Sequence, residues 1–360
     1  MSTRRPTLTH VAAEAGVSPM TVSNAFNRPE QLSPSTRRRV MQTARQVGYW
    51  GPDPVARGLR SGRAGAIGVV YDTRLSYALR DPAAGAFLGG ICQPCERDRL
   101  GLLLVPGTAP ELRDANPVRA AIVDGFVIYS VASGDPLLGA VLDRGLPTVV
   151  VDQPRVPDAA FVGIDDRAAA AAAADHLLGL GHRRLAALTF ALAPDGRSGI
   201  ADAARQTSAT YPVTSARLAG YADALAAAGL PWADVPVYEC AGSSRELGAA
   251  GAAALLECSP RPTALLATSD QLALGALDAA HQRSVSVPGQ LSVIGFDDTT
   301  AAAGARLPLT TIHQDHGEKG RRACSRLLDN IRGTPQTGAA LLPHRLVIRA
   351  TSGPPSTTGA

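Results

Sequence analysis

The stretch Thr7–Asn27, TLTHVAAEAGVSPMTVSNAFN, reads as two short helices joined by a tight turn. Leu8–Ala15 is the first, capped by Thr7, with Val11, Ala12 and Ala15 on one face at helical spacing. Gly16 supplies the left-handed residue that ends it, and Val17 plugs the space before the second helix. Ser18 caps that helix and Pro19 opens it, where a missing N–H costs nothing. Val22, Ala25 and Phe26 face inward, leaving Pro19, Met20, Thr21, Ser23, Asn24 and Asn27 facing out. A third helix is capped by Ser33, opened by Pro34 and closed by Gly48, with Val40, Met41, Ala44 and Val47 as its buried stripe. This is a helix-turn-helix headpiece, whose second helix is shaped to enter a DNA major groove.

Any small three-helix bundle shares that apolar pattern, and charge separates the two readings. Residues 1–63 hold ten arginines against Glu14, Glu30 and Asp53, a net +7, in a chain that is +4 overall. The basic charge is concentrated on the small end, as a domain that meets phosphates requires.

The chain's 360 residues leave room beyond the headpiece for one large or two linked α/β domains. No apolar run reaches the roughly 18 residues of a membrane helix. The N-terminal MSTRRPTLTH lacks the apolar segment of a signal peptide, and five cysteines without a dense framework fit a reducing cytoplasm. From Ala66 onward, apolar runs alternate with Ala/Leu-rich helical stretches. The strands are expected at Ile67–Tyr71, Leu102–Val105, Gly125–Tyr129, Thr148–Val151, Leu185–Phe190, Val235–Glu239, Ala264–Thr268 and Leu291–Phe296. Helices are expected over Ala86–Leu100, Asp166–Gly181, Ala216–Gly229 and Arg245–Cys258. Continuous apolar strands between helices mean parallel sheets covered on both faces, and this many units imply two lobes. Between headpiece and lobes, Pro54–Arg60 is long enough for two helical turns that are unstable alone. The end, Ala350–Ala360 (ATSGPPSTTGA), reads as disordered and carries no apolar heptads for a tetramerising coiled coil.

Several segments together resemble the lactose-repressor (LacI/GalR) family of bacterial transcription regulators. They are GVSPMTVSNAFN, SPSTRRRV, PVARGLRSGRAGAIGVV, DGFVIY, LPTVVVDQP, HLLGLGHRRLA, ARLAGYADAL, ATSDQLALGAL, VPGQLSVIGFDDT and LPLTTIHQD, in the family's order. The resemblance implies an all-α helix-turn-helix headpiece followed by an α/β periplasmic-binding-protein-like effector domain of two doubly wound parallel-sheet lobes. The headpiece is expected over residues 1–51 and the hinge over 52–65. The N-lobe is expected over 66–165 plus 315–343, the C-lobe over 166–314 plus 344–353, and a tail over 354–360.

The resemblance also implies roles for individual residues. Pro19, Met20 and Asn24 occupy positions that read base edges, and Asn24 is suited to a bidentate pair with adenine. Thr9, Ser18, Thr21, Asn27, Ser33, Thr36 and Arg57 fall at phosphate-contacting positions; Ser18 and Ser33 are also caps. Leu59 matches the lever that wedges into the minor groove at the operator centre. Gly58 beside it weakens hinge-helix formation. Asp72, Tyr129, Asp152, Arg217, Ser269, Asp297 and Gln314 match ligand-contact positions. Carboxylates beside an arginine suit a hydroxyl-rich ligand. The implied protein is a cytoplasmic homodimeric repressor that binds a pseudo-palindromic operator in double-stranded DNA. A small sugar-like or nucleoside-like effector controls it allosterically; it is not an enzyme, and no cofactor, metal or membrane partner is expected.

Phe190–Pro212 is longer than the family's loop and begins at a strand's C-terminal end. It is either a wall of the pocket, with Arg197 or Tyr211 facing the ligand, or a plain exposed insertion. Cys92 and Cys95 make a lone C-x-x-C within a helix, with no second pair or nearby histidine for zinc. His313, Asp315 and His316 look like ligands, but their place in the family's pattern favours a hinge or cleft-lining role.

Overall fold

The computed structural model describes residues 6–51, 62–72, 74–107 and 114–356, in two units, Met1–Gly65 and Ala66–Ala360. In the small unit, Thr7, Ser18 and Ser33 accept from the backbone N–H groups of His10, Thr21 and Thr36, and so start α1 (Leu8–Ala15), α2 (Pro19–Asn27) and α3 (Pro34–Gln46). Gly16 ends α1 at φ 60°. Val11, Ala12, Ala15, Val22, Ala25, Val40 and Ala44 form the core as expected, and Tyr49 joins them. Phe26 meets Tyr49 edge-on, with ring centroids 5.6 Å apart. Met41, Val47 and Phe26 are only half-buried, and of these Val47 and Phe26 pack against that core. The hinge residues Arg57, Gly58 and Leu59 lie outside the described residues.

In the large unit, β1 (Ala66–Tyr71), β2 (Gly101–Val105), β3 (Phe126–Tyr129), β4 (Thr148–Val151) and β5 (Ala160–Gly163) come first. Then follow β6 (Leu185–Thr189), β7 (Gly199–Ile200), β8 (Val237–Glu239), β9 (Ala264–Ala267), β10 (Ser292–Asp297) and β11 (Thr310–Gln314). β12 (Ala339–Leu341) and β13 (His344–Val347) are last. One sheet has the order β12-β5-β4-β3-β1-β2 and is parallel throughout. The other has the order β13-β11-β10-β9-β6-β8-β7, with antiparallel strands only at its two edges. Central strands such as β4, β6 and β9 are buried along their whole length, as strands covered on both faces must be. The chain passes between the sheets after β5, after β11 and between β12 and β13.

Six long helices cover the sheets: α4 (Pro82–Asp98), α5 (Asp166–Gly179), α6 (Pro212–Ala227), α7 (Arg245–Leu256), α8 (Asp270–Gln282) and α9 (His316–Ile331). They pack as α4 on α9, α5 on α6, and α7 on α8. At each crossing a glycine lets the backbones touch. A Cβ on Gly320 would lie 2.1 Å from the Phe87 carbonyl oxygen, and one on Gly90 2.0 Å from that of Gly317. Backbone cannot rotate away as a side chain can. Gly320→Ala should therefore force α4 and α9 apart and cost about 3 kcal/mol, read as a lower urea midpoint.

Two expectations about segment ends are corrected. Ala350–Ala360 is not disordered from its start, because Thr351 is fully buried, donates to the Val293 carbonyl and accepts from the Thr310 N–H. The Gly353 N–H donates to Ser292 Oγ in the same groove. The helix expected to start at Ala216 starts at Pro212, so Arg217 lies in the second turn of α6 rather than at its opening.

Candidate functional site

All seven residues matched to ligand positions, Asp72, Tyr129, Asp152, Arg217, Ser269, Asp297 and Gln314, line one cavity of about 190 Å³. Asp72, Tyr129, Asp152 and Asp297 stand at or just past the carboxyl ends of β1, β3, β4 and β10, the place where open parallel sheets bind ligands. Ser130, Asp152 and Asp297 hold left-handed backbone, with φ of 55°, 65° and 120°. Such conformations in residues with side chains are uncommon and concentrate at functional sites. Ser269 caps α8 and shares a hydrogen bond with Ser243.

A polar network fixes these groups from behind. Lys319, the chain's only lysine, is fully buried on α9. Its Nζ donates to Asp152 Oδ1 at 2.5 Å and to Gln314 Oε1. The Gln314 amide donates in turn to Asp297 Oδ1 at 2.6 Å, and His316 Nε2 lies 3.3 Å from the same oxygen. Burial works to raise the Asp297 carboxyl, but His316, Arg217 and Gln314 outweigh it and hold it below its ordinary value. Arg217 gives Nε to Asp166 at 2.8 Å and Nη1 to the Thr268 carbonyl, with its face 3.6 Å from the Phe296 ring centroid. Tyr129 stacks on Phe87 at 4.1 Å.

The extra segment forms a wall of the cavity. Within it β7 pairs with β8, and Arg205 ties Asp195 to the buried Glu239. Its last residues cross to the other lobe, where Tyr211 Oη donates to Asp72 Oδ2. The Thr210 carbonyl accepts from the Ser133 N–H. Tyr211 lines the cavity; Arg197 is exposed and lies away from the lining. His316 lines it too, whereas His313 pairs with Asp298 outside it. Cys92 and Cys95 sit within α4, where Cys95 Sγ lies 3.8 Å from Cys324 Sγ.

Asp81 also lines the cavity and was missed by sequence reasoning. It caps α4 through the Ala83 N–H, immediately before Pro82. That Asp-Pro pair is a helix-start signal, obscured because the helix was read as starting at Ala86. Burial first, and then the neighbouring Asp297 charge, push the Asp81 carboxyl up to about 6. A carboxyl raised in the folded state favours folding only while protonated. The stability it contributes is present below its ordinary pKa and lost as pH rises through 6. Asp81→Asn keeps a competent cap and should stabilise the protein by about 2 kcal/mol above pH 7. Near pH 4 it should change little, a contrast that melting temperatures at the two pH values would show.

On the small unit, Pro19 and Met20 are exposed, Met20 to 69%, and Asn24 is half-exposed. Thr9, Asn27, Ser18 and Ser33 are exposed, and Thr21 and Thr36 are half-exposed beside the caps they donate to. Arg28, Arg37, Arg38, Arg39, Arg45 and Arg63 are all exposed. The structure thus leaves every described residue matched to a DNA position open to a partner. No helix among the described residues is long and apolar enough to cross a membrane.

Comparison with known proteins agrees with both units. A family model described as bacterial regulatory proteins, lacI family, matches residues 7–51, and one for a periplasmic binding protein-like domain matches residues 174–352. An HTH-type transcriptional regulator of Mycobacterium tuberculosis is 45% identical over 359 residues, covering 98% of each chain. Among solved structures, the lac repressor dimer bound to operator and the anti-inducer ONPF superposes with a TM-score of 0.75 at 25% identity, over 97% of this chain and 100% of that one. A complex of the transcriptional regulator CelR with cellobiose gives 0.69 at 26% identity, over 96% and 100%. With its reading helix, its two-sheet domain and a close full-length relative, the chain belongs to the lacI family and is a DNA-binding transcriptional regulator.

Proposed function

We propose that this regulator is a homodimeric repressor whose DNA affinity is set by a small hydroxyl-rich effector, sugar-like or nucleoside-like, bound between the two sheets. The observation that carries the reading is the convergence of Asp72, Asp152, Asp297, Arg217 and Gln314, drawn from both lobes, on one cavity. The lac repressor structure holds an operator and the CelR structure holds cellobiose, which supports the same pairing of partners here. Two headpieces read the halves of a pseudo-palindrome, Pro19, Met20 and Asn24 facing base edges, while the hinge segments, through Leu59, bend its centre. Effector binding acts through its differential affinity for two lobe arrangements, and so shifts the population able to hold DNA. In-vitro selection of bound DNA, repeated with a panel of sugars and nucleosides, tests the reading. A selected palindrome whose affinity changes with one compound supports it; no selected sequence, or one indifferent to every compound, overturns it.

A further inference from the structure

The segment between β6 and α6 does more than wall the cavity, an inference that rests on reading that cavity as an effector site. The segment is built onto the second sheet. Its strand β7 pairs with β8, and the Thr210 and Tyr211 N–H groups donate to the Leu192 carbonyl at 2.8 and 3.3 Å. The Leu192 N–H donates in turn to the buried Glu239 at 2.7 Å, and Arg205 grips the same carboxylate. Trp232 Nε1 donates to Gln206 Oε1 at 2.8 Å. An arm anchored at so many points moves with its own lobe.

The end of that arm and the first turn of α6 reach the other lobe. Tyr211 Oη donates to Asp72 Oδ2, just past β1. The Thr210 carbonyl accepts from the Ser133 N–H at 2.9 Å, beyond β3. The Val213 N–H donates to Gln153 Oε1 at 2.7 Å, beyond β4. Gln153 is itself buried, and its amide donates to Ser130 Oγ at 3.1 Å. Thr210–Val213 therefore fastens to the carboxyl ends of β1, β3 and β4, which also carry the cavity residues Asp72, Tyr129 and Asp152. Widening the angle between the lobes at this wall stretches all these bonds together. The bond from Tyr211 is the strongest of them, since its acceptor is a carboxylate.

We infer that Thr210–Val213 is a clasp that holds the lobes in the effector-binding arrangement, with Tyr211 on Asp72 as its main catch. An effector that bridges Asp72 and Asp152 on one lobe to Arg217 and Ser269 on the other needs the same approach of the lobes. Clasp and effector thus favour one population, and Tyr211 sets its share before any effector arrives. The test compares the full chain with Tyr211→Phe, which keeps the buried ring and removes only the donor. Without ligand, amide exchange at Ser133 and Val213 should rise about tenfold, while amides of the buried strand β6 hold steady. Neither of those two amides is bonded to the phenol, so their exchange reports movement of the whole clasp. Gln153→Met, which breaks a different bond of the clasp, should raise exchange at Ser133 in the same way. Affinity for the selected operator, measured without ligand, should shift severalfold in Tyr211→Phe. The shift should be opposite in sign to that caused by whichever of glucose, cellobiose, ribose or adenosine acts on the unaltered chain. Unchanged exchange at Ser133 and Val213 overturns the inference even if a sugar binds more weakly, because Tyr211 would then be a ligand contact alone. A shift in operator affinity of the same sign as the sugar's also overturns it. If none of the four compounds alters operator affinity, that counts against the effector reading, and exchange at Ser133 and Val213 still decides whether the clasp exists.

Discussion

Lys319→Met should be among the most destabilising single changes in the large unit, at about 3–5 kcal/mol. The methionine fills a similar volume, so the loss is not a packing loss. It arises because Asp152 is left with a buried charge and no partner, while Gln314 Oε1 loses its donor. Removing one member of a buried pair costs far more than removing both. Lys319→Met combined with Asp152→Asn should therefore recover most of the loss, a coupling that a double-mutant cycle in urea reads directly. The single change should also weaken effector binding, since Asp152 and Gln314 would no longer be held at the cavity. If the single variant loses under 1 kcal/mol, or the double variant recovers nothing, the ion pair is not what holds this corner of the cleft.

That corner marks the limit of what the residues alone disclose. The headpiece is legible almost completely, because each helix carries its own signals: Thr7, Ser18 and Ser33 before the helices, Pro19 and Pro34 at their first positions, Gly16 and Gly48 at stops. The central strands are legible because burial on both faces makes them continuous apolar runs. Short edge and crossover strands are not. β5 is four residues, β12 is three, and β11 reads TTIHQ, so none is long or apolar enough to show a period. Two helix starts were read late, at Asp81–Pro82 and Tyr211–Pro212; the first hid Asp81, which lines the cavity, whereas Tyr211 was named as one of two residues able to face it. Family resemblance named seven residues that the fold brings to one cavity. It said nothing of Lys319, which lies 167 residues from the Asp152 it holds. Long-range pairs of this kind are set by topology, here by the return of α9 onto the first sheet after the chain has built the second.

Operator binding should weaken by about a thousandfold between 50 and 200 mM salt, while Asn24→Ala should leave that slope untouched. The first expectation follows from the exposed arginines of the small unit, Arg28, Arg37, Arg38, Arg39 and Arg45 among them. If three per headpiece neutralise phosphates, a dimer releases about six counterions, and the logarithm of affinity falls with a slope near −5. The threonines, serines and asparagine at phosphate positions add orientation without charge and contribute little to the slope. The second expectation follows from the recognition helix. Pro19 has no donor and Met20 offers only apolar contact, so Asn24 should carry most of any direct hydrogen-bond readout by this helix. Its loss should cost about 1–3 kcal/mol per half-site and relax preference at one base pair in each half. Fluorescence anisotropy across a salt series, with the selected operator and its single-base variants, separates the two effects. A salt-insensitive complex would remove the arginines from the interface. A weakening by Asn24→Ala that is equal on every sequence would make Asn24 a backbone contact and transfer specificity to the bent centre at Leu59.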